Sequence, residues 1–243
     1  MRFLALAASL LVCASSAGAA EIKVLAPGLI GPGFAQVAAA FKAKTGHTAV
    51  LPIGTPTVGK IKDVIAQGSD ADVVLLTPEE LAGMQDKLKP GSEKTIGRVL
   101  FGLAVKTGAP HPDISTAEKF RAALKGKSVA YNDPAIGSLA GKMVDTLLQG
   151  PAYTGVKRVP YKGQGGRAVA AGDADMAVAV ETEEVTNQGI DIVGEVPDAI
   201  GLKIVMSGAV LKNAPHAGEA ASFLAFMTTP EAVAILKPTG IAP

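Results

Sequence analysis

Ile22-Lys23-Val24-Leu25-Ala26-Pro27-Gly28 opens the stretch that decides the fold, and Val73-Val74-Leu75-Leu76 closes it. The first run alternates and stops at Pro27-Gly28, the pattern of a strand ending in a turn. Gly31 precedes Pro32, which suits a first helical position, and Phe34, Val37, Ala38 and Phe41 recur at helical spacing until Gly46 ends the run. Residues 48–53 read as a second strand. Thr57 caps a second helix with Ile61, Val64 and Ile65 on its apolar face, and Gly68 ends it before the wholly apolar run at Val73. Strand, helix, strand, helix, strand predicts an α/β fold with a mainly parallel sheet covered on both faces.

The alternation continues outward from this unit. Residues 99–105 read as strand, 117–124 as helix and 128–131 as strand, before Asp133-Pro134 breaks the pattern. A helix over 138–148, a strand over 156–161, a short helix over 166–171 and a strand over 176–180 follow. The strand 203–210 and helices over 217–227 and 230–236 close the chain. No internal repeat, low-complexity tract or charge block interrupts it.

At the other end, Arg2 precedes an apolar run, residues 3–12, that gives way to small residues from Ala14 to Ala20. This is the form of a cleavable secretory signal, residues 1–20, and the run is too short to span a bilayer. Ala17-Gly18-Ala19 places cleavage after Ala19 or one residue later. Bulky Val12 before Cys13 argues against a lipid-anchored start. Cys13, the one cysteine, leaves with the signal, so the exported chain has no thiol for a disulfide, metal or nucleophile. The 23 Lys and Arg nearly balance the 22 Asp and Glu, which gives no basic surface for nucleic acid. With no Trp, three Tyr and seven Phe, aromatic platforms for bases or sugars are also scarce.

Several segments resemble the molybdate-binding type of ABC-transporter receptor in order and spacing. They are Lys23-Val24-Leu25-Ala26, Phe41-Lys42-Ala43-Lys44-Thr45-Gly46, Gln67-Gly68-Ser69-Asp70-Ala71-Asp72-Val73, Asp133-Pro134-Ala135, Gly172-Asp173-Ala174-Asp175, and Ala221-Ser222-Phe223-Leu224 followed by Thr229-Pro230-Glu231-Ala232. The likeness covers nearly the whole exported chain. It implies a type 2 periplasmic-binding-protein fold: two α/β lobes, residues 21–98 with 204–243 and residues 99–203, joined by crossings near 98–103 and 202–207. It also implies a monomeric periplasmic receptor that passes a small anion to an ABC membrane permease, with no cofactor and no catalytic residue.

In such a fold helix N-termini, with their unpaired N–H groups, point beyond the strand ends. Four turns are candidates to converge, at residues 27–31, 55–59, 135–141 and 162–166, with Gly28, Gly59, Gly137, Gly165 and Gly166 allowing close backbone approach. Thr57 and Ser138 are the candidate hydroxyl donors. Against the receptors it resembles, the chain carries Leu29 and Val58 where molybdate binders offer hydroxyls, and Val180, followed by Glu181, where they offer a tyrosine. The expected ligand is therefore a small organic acid rather than molybdate, with a true molybdate- or tungstate-binding receptor as the alternative. Tight turns account for each glycine taken singly, and surface charge accounts for Lys142 and Arg167.

Gly163-Gln164-Gly165-Gly166-Arg167-Ala168 matches a dinucleotide fingerprint in form, yet the next strand follows too soon for a nucleotide-binding unit. Ser138 lacks the glycine two residues earlier that a nucleophile elbow requires. His47, His111 and His216 read as exposed loop residues without metal-ligand spacing. Glu181, Glu183 and Glu184 read as a solvated strand end that could also meet a cation or a ligand amine. No base with an orienting partner is visible, which argues for a binding protein over an enzyme. A regulator's sensing domain can share this fold, but the export signal and the lack of a DNA-binding segment argue against one. Export is directly testable: N-terminal sequencing of the protein released by outer-membrane disruption should start at Ala20 or Glu21, and an unprocessed cytosolic chain would refute it.

Overall fold

The computed structural model describes residues 18–31 and 33–243. The expected export signal, save its last three residues, and Pro32 lie outside the described residues. Strand β1 (Glu21–Leu25), helix α1 (Gly33–Thr45), β2 (Thr48–Val50), α2 (Val58–Ala66) and β3 (Val73–Leu76) form the unit expected from the opening stretch, with β1 parallel to both β2 and β3. Helix α3 (Pro78–Ala82) and β4 (Lys94–Val99) follow. The second sheet starts at β5 (Phe101–Lys106) and continues through α4 (Ala117–Leu124), β6 (Ser128–Asn132), α5 (Leu139–Leu148), β7 (Lys157–Tyr161), α6 (Gly165–Ala171), β8 (Met176–Val180), α7 (Glu181–Glu184) and β9 (Ile190–Glu195). The chain then returns to the first sheet with β10 (Ile204–Val210), α8 (Ala217–Met227), α9 (Pro230–Leu236) and β11 (Ile241–Ala242).

The sheets have strand orders β11-β4-β10-β3-β1-β2 and β7-β6-β8-β5-β9. Every residue of β3 and of β8 is buried, as the unbroken apolar runs require of strands covered on both faces. Parallel pairing is confined to the β-α-β parts: β1 with β2 and β3, and β6 with β7 and β8. The other pairs are antiparallel, so the sheets are more evenly mixed than the alternation suggests. The reason is entry direction. Strands β5 and β10 arrive from the other sheet rather than over a crossover helix, and so run against their neighbours.

Residues 99–105, read as one strand, are two elements. Leu100 separates them, donating its N–H to the Gly240 carbonyl at 2.8 Å and accepting from the Glu181 N–H at 2.8 Å. One residue thus ties the last strand of one sheet, the first of the other and the C-terminal turn. Strands β4 and β9 escaped the pattern because they carry polar and glycine residues on partly covered faces.

The first sheet's core is aromatic on one side, where Phe41 of α1 stacks edge-on against Phe223 of α8 with centroids 5.2 Å apart. On the opposite edge of β3, Asp72 is fully buried and accepts from the backbone N–H of Lys23 at 2.9 Å and of His216 at 2.7 Å. His216 is therefore half-buried rather than exposed, as is His47, whose Nδ1 accepts from Ala20 N–H at 3.1 Å. Of the three histidines only His111 is exposed.

In the second sheet, α5 lies so close to the end of β6 that a Cβ on Gly141 would overlap the Asn132 carbonyl oxygen. Gly141→Ala should therefore destabilise the fold by about 1–3 kcal/mol, the usual cost of overpacking. Gly59→Ala, where a Cβ meets nothing within 4 Å, should instead gain about 0.5–1 kcal/mol. Urea midpoints at unchanged m-value measure both, and equal midpoints for the two variants would contradict the packing.

Candidate functional site

Between the two sheets lies a cavity of about 300 Å³. The first sheet contributes Pro27, Gly28 and Leu29, Thr55 to Val58, Leu75 to Thr77, Glu80, and Ile204 to Met206. The second contributes Asn132, Ile136 to Ala140, and Glu183. None of these lining residues is Lys or Arg.

Two helices of real length aim their N-termini here. Thr57 caps α2, its Oγ1 accepting from Lys60 N–H at 3.3 Å, and Ser138 caps α5, its Oγ accepting from Gly141 N–H at 3.0 Å. Both hydroxyls accept from their own helices and keep their protons free to donate to a ligand. The first-turn N–H groups of Val58 and Gly59, and of Leu139 and Ala140, have no partner within their helices. Gly137 sits at φ +81°, where only glycine is unstrained, and this sharp turn brings Ser138 into its capping position. Leu29, Val58, Ile136, Leu139 and Met206 make the rest of the wall apolar.

Six of the residues singled out from the sequence line this cavity: Gly28, Leu29, Thr57, Val58, Gly137 and Ser138. Four do not. Gly59 is solvent-exposed one residue beyond the lining. Gly165 is buried, and its N–H donates to Asn132 Oδ1 at 3.2 Å instead of to a ligand. Val180 is fully buried opposite Phe101 in the β5–β8 pair and does not line the cavity. Glu181 turns toward the crossing, its Cγ lying 2.9 Å from where a Cβ on Gly102 would stand. Burial, aided by the charge of Glu195, raises its pKa.

The apparent nucleotide fingerprint has a different use. At the α6 N-terminus, Gly165 N–H is taken by Asn132, and Gly166 N–H is taken by Glu184 Oε1 at 3.1 Å. Glu184 is 2% exposed, and its other oxygen accepts from Asn187 Nδ2 at 2.9 Å. A protein carboxylate thus fills the place an external anion would take. Arg167 bonds Gln164 and Asn187, and neither it nor Lys142 lines the cavity.

The residues that sequence reading missed are Asn132 and the placement of Glu183. Asn132 Nδ2 donates to Glu183 Oε2 at 2.6 Å. Because Asn132 Oδ1 already accepts from Gly165, the amide has one orientation, and it presents its N–H to the carboxylate. The acidic run Glu181-Thr182-Glu183-Glu184 is a helix turn, not a solvated strand end, so its three carboxylates point to three destinations. A carboxylate oriented by a buried amide is the pairing that sequence reading did not find. Among the described residues no three His, Cys, Asp or Glu side chains gather as metal ligands.

Two mixed sheets with a cleft between them, walled by helix N-termini, define the type 2 periplasmic-binding-protein fold. The chain belongs to the bacterial extracellular solute-binding protein family, whose model matches residues 22–242. It is 29% identical over 229 residues to an aconitate isomerase of Pseudomonas sp., covering 91% of this chain and 87% of that one. In structure it is similar to the substrate-binding domain described for a molybdenum ABC transporter of Clostridium difficile, with a TM-score of 0.75, 17% identity and coverage of 92% and 99%. It is also similar to the Azotobacter vinelandii periplasmic molybdate-binding protein, with a TM-score of 0.66, 23% identity and coverage of 91% and 99%.

Burial raises the Glu184 pKa above its ordinary 4.5, against the opposing hydrogen bonds from Asn187 and Gly166. The native state therefore binds more protons than the unfolded chain between 4.5 and the raised value. Stability from this group is complete below pH 4.5 and is lost as pH rises through the raised native value. Glu184→Gln keeps the shape without the charge. Its melting temperature relative to the parent should be higher at pH 8 than at pH 4; a difference independent of pH would show that Glu184 carries no burial cost.

Proposed function

We propose that the protein is an extracytoplasmic receptor that binds a small organic acid in the cleft between its sheets and delivers it to an ABC import permease. In this reading it works as a monomer in the periplasm. Residues 21–98 with 204–243 form one lobe and 99–203 the other, and ligand favours the closed arrangement. The observation that carries it is the composition of the cavity wall: free N–H groups at the starts of α2 and α5, beside apolar side chains and no cationic one.

A carboxylate needs few donors, and helix N-termini supply them without a lysine or arginine. The apolar wall accepts the carbon skeleton. A tetrahedral dianion needs donors on all sides, and Leu29 and Val58 stand where hydroxyls would supply two of them. Each hydrogen bond to a charged group is worth about 1.5–3 kcal/mol, so two losses weaken binding by roughly a hundredfold or more. The Glu183 carboxylate in the wall adds repulsion toward any anionic group set beside it, which a compact dianion cannot avoid and an acid with its carboxylates spread along a carbon chain can. Relationship to an aconitate isomerase supports unsaturated polycarboxylates as the class to try first.

Titration calorimetry of the purified protein with aconitate, succinate, molybdate, tungstate and sulfate tests this reading. At least one organic acid should bind about a hundredfold more tightly than any of the inorganic anions. Submicromolar binding of molybdate, or no binding of any organic acid, would refute it.

A further inference from the structure

From the Glu183–Asn132 pair we infer that the cleft does more than hold its ligand: Glu183 is a catalytic base that shifts a proton between two carbons of a bound unsaturated acid. The inference rests on the organic-acid reading above and adds a reaction to it.

Glu183 differs from the other carboxylates near the cavity. Glu80 Oε2 is spent on Thr77 N–H at 2.9 Å, closing the cap of α3. Glu184 is enclosed at the start of α6, and Glu181 lies at the crossing. Of the two carboxylates that line the cavity, Glu80 and Glu183, only Glu183 is not committed to a helix cap, with Oε2 held by Asn132 and Oε1 free of any hydrogen bond among the described residues. Asn132 is itself 7% exposed and fixed by Gly165, so Glu183 is held by a side chain that cannot turn away. Selection against compact dianions needs only a negative charge in the cleft, not a carboxylate fixed in one orientation with one oxygen left unbonded. A base is useful there, since general-base catalysis needs a proton acceptor within about 2.6–3.2 Å of the hydrogen-bearing atom.

Glu183 comes from the second sheet's side of the cavity and meets the first sheet's wall at Gly28. A Cβ on Gly28 would stand 4.0 Å from Glu183 Oε1, so the free oxygen reaches the turn that begins the opposite wall. A ligand whose carboxylate sits at the starts of α2 and α5 places its carbon chain between those N–H groups and Glu183. In an acid with a double bond conjugated to that carboxylate and a methylene beyond it, Glu183 takes a proton from the methylene. The C–H electron pair becomes the new double bond, and the old one moves its electrons onto the carboxylate as an enolate. The helix N–H groups hold the developing negative charge. Glu183, now protonated, returns the proton to the carbon that bears the carboxylate, leaving the new double bond between its neighbour and the former methylene. One C–H bond breaks and one forms, the double bond moves by one position, and no oxidant, metal or cofactor takes part. A cavity of about 300 Å³ is at the small end of ligand sites, which run from roughly 300 to 1,000 Å³, and matches a compact acid of this kind.

The test incubates the purified full chain with trans-aconitate in buffered D2O and follows the olefinic and methylene protons by NMR, with calorimetry in parallel. Deuterium should enter both positions as the cis form appears. Glu183→Gln should bind the acid at least as tightly, having lost a like charge, while exchange falls by about 10²–10⁴-fold, the usual contribution of a general base. Glu183→Asp, which keeps the carboxylate but withdraws it by one methylene, should bind and exchange at an intermediate rate, and it serves if the glutamine variant does not fold. Binding by the parent chain without deuterium entry overturns the catalytic inference and leaves the receptor reading standing. Exchange that survives in the glutamine variant assigns the base elsewhere and overturns it as well. If trans-aconitate does not bind the parent chain, the inference falls together with its choice of ligand class.

Discussion

The arrangement of the cleft depends on one buried amide. Asn132 stands at the end of β6, where its backbone carbonyl is pressed against Gly141 of α5 and its side-chain carbonyl accepts from Gly165 of α6. A buried polar group must find partners or cost several kcal/mol, and this one finds them on both sides. The consequences spread from there. The α5 N-terminus can reach the cavity because glycine at 141 lets the helix sit on the strand end. The α6 N-terminus is excluded from ligand binding because its first N–H groups are already taken. Glu183 is held in the cavity because the amide's nitrogen donates to it.

The contrast between α5 and α6 shows how similar local sequences come to do different work. Both helices start near glycines after a strand of the same sheet, and both expose N–H groups by the geometry of any helix start. At α5 the cap is a small side chain, Ser138, bonded within its own first turn, and the cavity lies beyond it. At α6 there is no side-chain cap, and the gap is filled from outside by Asn132 and Glu184. Burying the Glu184 carboxylate costs solvation, offset by two hydrogen bonds and by the partial positive charge of the helix start. An anion site is thereby closed with the protein's own anion.

The same economy of space governs the crossing between sheets. Leu100, Glu181 and Gly240 meet through backbone hydrogen bonds, and a Cβ on Gly240 would lie 2.6 Å from the Thr182 nitrogen. Likewise a Cβ on Gly31 would stand 2.8 Å from the Thr182 carbonyl oxygen. The short α7 is thus wedged between the two sheets, and this is what carries Glu183 to the cavity while its neighbours go elsewhere. In a helix turn, residues 181 and 183 leave the axis on nearly opposite sides. In a strand they would not have separated this way.

Sequence by itself determined the α/β class, the β1-to-β3 unit and most helices, and it nominated the Gly28, Thr57 and Ser138 turns together with a fourth, at 162–166, that does not line the cavity. These follow from local signals: the period of apolar residues, caps, and glycine stops. It also identified Leu29 and Val58 as departures from the receptors the chain resembles. Tertiary structure alone decided that residues 99–105 break at Leu100, that β5 and β10 run antiparallel to their neighbours, and that Gly165, Val180 and Glu181 turn away from the cavity. It alone brought Asn132 to Glu183, 51 residues further along the chain. The physical reason is that a lone Asn or Glu carries no periodicity. Its role is set by which buried N–H groups remain unpaired once the strands have chosen their neighbours, and that count exists only in the folded chain.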